Sequence, residues 1–109
     1  MEDVPFADFQ KLDIRIGRII SVEDVPKSEK LYRIRVSFGD EERTAVACIK
    51  KFYAPDELLD KKFVFILNLE RRKIMGIESE CMVFAAEDGE GNIVLLQPEK
   101  DIAEGSKIR

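Results

Sequence analysis

Histidine is absent from this 109-residue sequence. With it goes the side chain that titrates near neutral pH, and so the usual general base and any Ser/His or Cys/His nucleophile pair. Cysteine is almost as scarce. Cys48 and Cys81 are the only two; they form no CxxC, and with no His to complete a cluster the chain has no ligand set for zinc. In a reducing compartment the pair reads as two buried thiols rather than a disulfide. No apolar run approaches the roughly 20 residues that a membrane-crossing helix needs. The opening Met1-Glu2-Asp3-Val4-Pro5 has neither the basic start nor the apolar stretch of a signal peptide. Asn and Gln are few beside Lys, Arg and Glu, a balance that suits a thermophilic source. The expectation is a cytoplasmic chain that is not an enzyme, with no metal, no cofactor and no membrane contact.

Hydrophobic residues make up 45% of the chain and charged residues 37%. Ile, Val, Leu and Phe recur at short intervals, so the charge does not imply disorder, and the length suits one packed core rather than two. Residues 1–109 therefore read as one domain. The formal net charge of −4 runs against the basic excess usual in nucleic-acid-binding domains, but the charge is unevenly spread. Residues 1–73 hold 15 basic against 14 acidic side chains, whereas residues 74–109 hold 3 against 8. A polyanion-binding surface would have to draw on the first two thirds.

Pro5, Phe6, Phe9 and Leu12 have the spacing of one or two amphipathic helical turns. Leu12, Ile14 and Ile16 then alternate with Asp13, Arg15 and Gly17 before the apolar phase shifts to Ile20 and Val22, which predicts a long strand with a bulge or bend at Gly17. Val25-Pro26-Lys27-Ser28 breaks it. Tyr32, Ile34, Val36 and Phe38 alternate cleanly, which turns Arg33 and Arg35 to the opposite face. A turn at 39–42 leads to a third strand over 43–49 and a single helical turn over 54–59 with acids near its start. Residues 63–67 form a continuous apolar run suited to a central strand covered on both faces. Two further strands, 81–86 and 93–96, flank a turn at 88–92, and 105–108 reads as a short closing strand. Five or more short strands with a small helix between the third and fourth is the order of the OB-fold, an all-β, five-stranded Greek-key barrel that often binds oligonucleotides.

Asn68-Leu69-Glu70-Arg71-Arg72-Lys73-Ile74-Met75-Gly76 is the most informative segment, because three consecutive cations follow the most apolar strand. A loop held there could present Arg71, Arg72 and Lys73 to phosphate, the arginines by a planar fork and the lysine as a point charge; the plainer reading is solvated surface. Arg15, Arg33 and Arg35 would share an outer strand face, with Lys30 at its entry, as a basic stripe, unless neighbouring acids neutralise it. Tyr53, after Lys50-Lys51-Phe52, is a candidate for stacking on bases, whereas Tyr32, Phe63 and Phe65 belong in a core. Taken bare, Ser79 is a cap or turn residue and Met82 a filler. Glu78 and Glu80 would face one side, but with no ligand or nucleophile beside them they make no catalytic pair.

Taken together, these segments resemble the tRNA-binding domain found as the C-terminal appendage or separate β subunit of methionyl-tRNA synthetases and as free-standing tRNA-binding proteins. The resemblance is carried by residues 9–17, Pro26 with Lys30-Leu31, Tyr53-Ala54-Pro55-Asp56-Glu57-Leu58, Asn68-Leu69 with Arg72-Lys73-Ile74 and Gly76, Ser79 with Met82, and residues 95–100 and 105–108. It implies an OB barrel whose N- and C-terminal additions pair two subunits, and a homodimer that binds the outer corner of tRNA. The RNA contacts it implies are Lys30, Asn68, Arg72, Lys73, Ser79 and Met82. Such contacts need a few cations and hydroxyls rather than a large basic field.

The sequence departs from that pattern in several places. Val25 stands for the family's His and Lys27-Ser28-Glu29 for its Asn-Ala-Asp. Ala47-Cys48-Ile49 replaces Ser-Gly-Leu, Glu70-Arg71 a Lys-Pro pair, and Cys81 the Gly before Met. Cys81 also moves toward the related CsaA-type export chaperones, which resemble this barrel and are thought to bind unfolded peptides. The leading expectation is a tRNA-binding accessory that serves a synthetase in trans; the alternative is a peptide-binding chaperone.

Overall fold

In the computed structural model, which describes residues 1–109, a short helix α1 (Phe6–Gln10) leads into an eleven-residue strand, β1 (Ile14–Asp24). Strand β2 (Tyr32–Ser37) returns along it with Tyr32, Ile34 and Val36 buried, and β3 (Glu42–Ala47) follows after a turn in which Gly39 takes φ 90°. A 3-10 turn (Pro55–Glu57) sets Leu58 into the core before β4 (Lys62–Ile66) pairs with the other edge of β1. A hairpin of β5 (Arg72–Ile74) and β6 (Ile77–Ser79) comes next, and β7 (Met82–Val83) then pairs with β4. The main sheet runs β3-β2-β1-β4-β7. It nearly closes on itself: Glu80 N–H donates to the Thr44 carbonyl at 2.8 Å, and Thr44 N–H donates to the Glu80 carboxylate at 2.9 Å. The architecture is the expected five-stranded antiparallel OB-like barrel.

Inside it, the fully buried Phe38 and Phe65 meet edge to face, ring centroids 5.6 Å apart at 89°, an arrangement favoured by the ring quadrupoles. Gly17 sits between them for a reason that differs from the one its sequence context suggests. A Cβ there would lie 2.6 Å from both Phe38 Cε1 and Val36 Cγ1 and 3.0 Å from Phe65 Cδ1. The glycine makes room for the rings, and the bulge falls later, between Ile19 and Ser21. A strand that wraps a barrel must bend somewhere along its length; here it bends past the aromatic pair rather than at it.

The apolar run of β4 is covered on both sides, as its composition predicts. Phe63 and Phe65 face the core cluster and Ile66, on the opposite face, is also buried; at the strand's edge Val64 N–H donates to the Leu96 carbonyl (3.1 Å). Leu96 follows a C-terminal hairpin, β8 (Ala85–Glu87) with β9 (Ile93–Leu95), whose Leu95 reaches the core cluster. The closing segment at 105–108 forms a single bridge, Arg15 to Lys107, rather than a regular strand. It is nevertheless tied to β1 by Ile16 N–H to the Ser106 carbonyl (2.9 Å) and Ile108 N–H to the Ile14 carbonyl (2.8 Å). The third strand stops at Ala47, before the predicted Ile49, which leaves Cys48 exposed. Of the two free thiols, only Cys81 is buried as expected, and burial pushes its pKa up to about 12. No helix is long and apolar enough to cross a membrane.

Candidate nucleic-acid interface

The segment read from sequence as a basic loop is in fact the β5–β6 hairpin. It reverses over Met75 (φ 53°) and Gly76 (φ 80°), a two-residue turn with both central residues in the left-handed region. Two apolar β-branched residues, Ile74 and Ile77, separated by two positions that end in Gly were the available hairpin signal.

The base of this hairpin is fixed at several points. Leu67 and Glu80 are its two ends, and a pair of arginines bridges their carbonyls. Arg43 Nη1 donates to Leu67 (2.8 Å) and Glu80 (3.2 Å), and Arg71 Nη1 donates to the same two oxygens at 3.3 and 2.8 Å. Arg43 is itself held by Glu41 at 2.8 Å. The Asn68 amide accepts from Asp13 N–H (2.7 Å) and donates to the Lys11 carbonyl (2.6 Å), tying the start of the excursion to the N-terminal segment. The Ser79 hydroxyl accepts from Val46 N–H (3.1 Å) and donates to the Cys81 carbonyl (3.2 Å). Asn68, Ser79 and the Nη1 of Arg71 are thus engaged by this chain's own backbone, as supports of the surface. Sequence reasoning missed Arg43 and the Thr44–Glu80 closure, because an isolated charge in an apolar strand carries no pattern of its own.

What the supports hold out is Arg72 and Lys73, both exposed and without a carboxylate in ion-pair range. Arg72 is paired across the hairpin with Ser79, and Lys73 with Glu78, so period-two alternation puts the two cations on opposite faces of the ribbon. The sheet register brings a further predicted residue into line. Arg33 pairs with Val46, Val46 is bonded to Ser79, and Ser79 pairs with Arg72, so one transverse row joins residues some forty positions apart. Beside this row is a cleft of about 100 Å³ with walls from Leu69, Ile74 and Met82, and with Arg72 and Ser79 among its polar lining.

The basic stripe does not form as a continuous feature. Pairing of β1 with β2 begins only at Arg18, which leaves Arg15 beyond the end of β2, held by Asp13 at 2.8 and 2.9 Å. Arg35 lies between Glu42 (3.4 Å) and Glu80 (3.7 Å) and donates to Thr44 Oγ1 (2.9 Å). Those acids arrive from the neighbouring strand and from the barrel closure, so Arg35 is neutralised where it stands. Arg33 has no such partner. Lys30 is exposed at the entry to β2, where its carbonyl accepts from Lys50 N–H (3.1 Å), and it lines no part of the cleft. The Tyr53 hydroxyl accepts from Leu95 N–H at 2.9 Å, which docks the ring between barrel and C-terminal hairpin rather than leaving it free to stack.

Known proteins resemble this chain in sequence and in fold. Over its full length it is 50% identical to part of the methionine–tRNA ligase of Pyrococcus horikoshii, of which it spans 15%. The crystal structure of a MetRS-related protein from the same organism superposes with a TM-score of 0.95 at 33% identity, all of both chains being covered. The CsaA chaperone of Bacillus anthracis superposes with a TM-score of 0.88 at 31% identity over 99% of this chain and 100% of that one. Residues 14–107 match the family model of the tRNA binding domain, and the chain belongs to that family.

Proposed function

We propose that this chain is a non-catalytic tRNA-binding module of the cytoplasm, which holds the tRNA corner as a homodimer and serves a methionyl-type synthetase in trans. The observation that carries this reading is the pair Arg72 and Lys73, held out from the barrel on a fixed hairpin with no carboxylate in ion-pair range. Arg33 adds charge in the same row. A module of this kind, once bound to its synthetase, raises the local concentration of tRNA for a partner that performs the chemistry. Its affinity comes from phosphate contacts and so depends on salt. In anisotropy titrations, total tRNA is expected to bind and to weaken by an order of magnitude or more between roughly 50 and 200 mM salt. An absence of binding at the lower salt refutes the reading.

One observation favours the peptide-chaperone alternative: the apolar walls that Leu69, Ile74 and Met82 give the cleft, together with the likeness to the CsaA structure. Peptide held by such walls would stay bound at high salt, so the same titration separates the two.

The homodimer is supported by apolar surface outside the barrel. Helix α1 buries none of its residues, Phe6 is 69% exposed and Val4 71%, and on the C-terminal additions Val94 and Ile102 are also exposed. A helix with an apolar stripe and nothing packed on it needs a partner, and a second copy provides one with two-fold symmetry. Light scattering at micromolar concentration is expected to give about twice the chain mass of 12.5 kDa; the mass of one chain contradicts the dimer.

A further inference from the structure

The cleft beside the basic hairpin is lined mostly by apolar side chains, with Arg72 its one cation. Leu69, Ile74 and Met82 offer an apolar seat with a polarisable thioether, and Arg72 stands at the same opening. Two carboxylates also line it, Glu70 and Glu80. Glu80 is already engaged, accepting from Thr44 N–H at 2.9 Å with Arg35 at 3.7 Å. Glu70 is exposed and no cation lies within ion-pair distance of it, although three cations follow it in the chain. A free carboxylate here lowers the attraction for phosphate, so phosphate binding alone gives no account of it.

We infer that the cleft takes one unpaired guanine of the bound RNA and that Glu70 reads its base-pairing edge. This rests on the tRNA-binding reading and adds a base preference to it. A carboxylate presents two acceptors side by side and no donor. Guanine alone among the four bases matches it, with a ring N–H and an exocyclic amino group adjacent and parallel. Adenine and cytosine put a ring acceptor next to their amino group, and uracil flanks its single N–H with two carbonyls, so their lone pairs would face the carboxylate. Single-stranded bases splayed onto apolar or aromatic side chains and read along this edge are the usual currency of RNA specificity. The face of the ring would lie on Met82 and Leu69, and Arg72 would meet a phosphate of the same nucleotide.

The test uses the full chain and fluorescein-labelled uridine heptamers carrying one central guanosine, inosine or adenosine, or none. The guanosine heptamer is expected to bind about tenfold or more tighter than the adenosine and all-uridine ones, as one bidentate base contact allows. Inosine, which lacks the amino group, should fall between them. Glu70→Gln, whose amide sets one donor beside one acceptor, should abolish the guanosine preference and raise the adenosine heptamer relative to it, while keeping the wild-type urea midpoint. Equal binding of the four by the wild type while total tRNA still binds overturns this inference and leaves the tRNA-binding reading intact; failure of both RNAs to bind overturns both. A guanosine preference that survives Glu70→Gln overturns the role of Glu70. Displacement of the guanosine heptamer by an unstructured apolar peptide at comparable concentration assigns the cleft to peptide and overturns the inference as well.

Discussion

Replacing Arg72 and Lys73 together with Ala is expected to weaken tRNA binding by about 2–4 kcal/mol, taking each phosphate contact as roughly 1–2 kcal/mol. The two side chains lie on opposite faces of a two-stranded ribbon and neither is paired with a carboxylate, so they act on different phosphates and their losses should nearly add. The salt dependence gives the sharper reading. Removing two phosphate contacts should reduce the slope of log affinity against log salt by about 1.4–1.8. Arg71 supplies the contrast. Its guanidinium is turned back onto the Leu67 and Glu80 carbonyls, so Arg71→Ala should lower affinity by loosening the hairpin and leave the slope close to wild type. Isothermal titration at four salt concentrations measures both quantities. Unchanged affinity in the Arg72/Lys73 variant refutes the assigned surface, and a slope reduced by a full contact in Arg71→Ala shows that Arg71 binds phosphate directly.

The barrel could be read from sequence because its signals are local. Tyr32, Ile34, Val36 and Phe38 alternate with charged or small neighbours, and the run of β4 has the composition of a strand covered on both faces; in both cases period and burial agree. Gly17 was misread for a physical reason. A glycine in a strand signals either a bend or a close approach, and only the partners across the barrel, Phe38 and Phe65, decide which.

The candidate site was readable in a different sense. Arg72 and Lys73 stand out as consecutive cations after an apolar strand, but nothing in their spacing shows that Asn68 and Ser79 are engaged by backbone atoms 33 to 57 positions away, or that Arg71 turns back onto the Leu67 and Glu80 carbonyls. Hydrogen bonds closed over such separations leave no periodicity. The same holds for Arg33, which reaches the row of Ser79 and Arg72 through β3 rather than through the chain. A resemblance that matches residue types transfers the composition of a surface more readily than the part each side chain plays in it.

The Gly17 packing leads to the largest expected effect on stability. Phe65→Ala removes a fully buried ring and should cost about 3–5 kcal/mol, the transfer term plus the cavity left behind, part of it the edge-to-face contact with Phe38 at roughly 0.5–1.5 kcal/mol. Gly17→Ala in the wild type adds a methyl where none fits and should cost about 1–3 kcal/mol by overpacking. The two changes share one space, so they cannot add. Once the Phe65 ring is gone, Phe38 and Val36 can move into the void, and the added methyl fills part of it. Urea unfolding of the four proteins should therefore give a coupling of about 1–3 kcal/mol in the stabilising direction, with Gly17→Ala nearly neutral in the Phe65→Ala background. Simple additivity would mean that the glycine is there to bend the strand after all, since a backbone requirement would persist whether or not the ring is present.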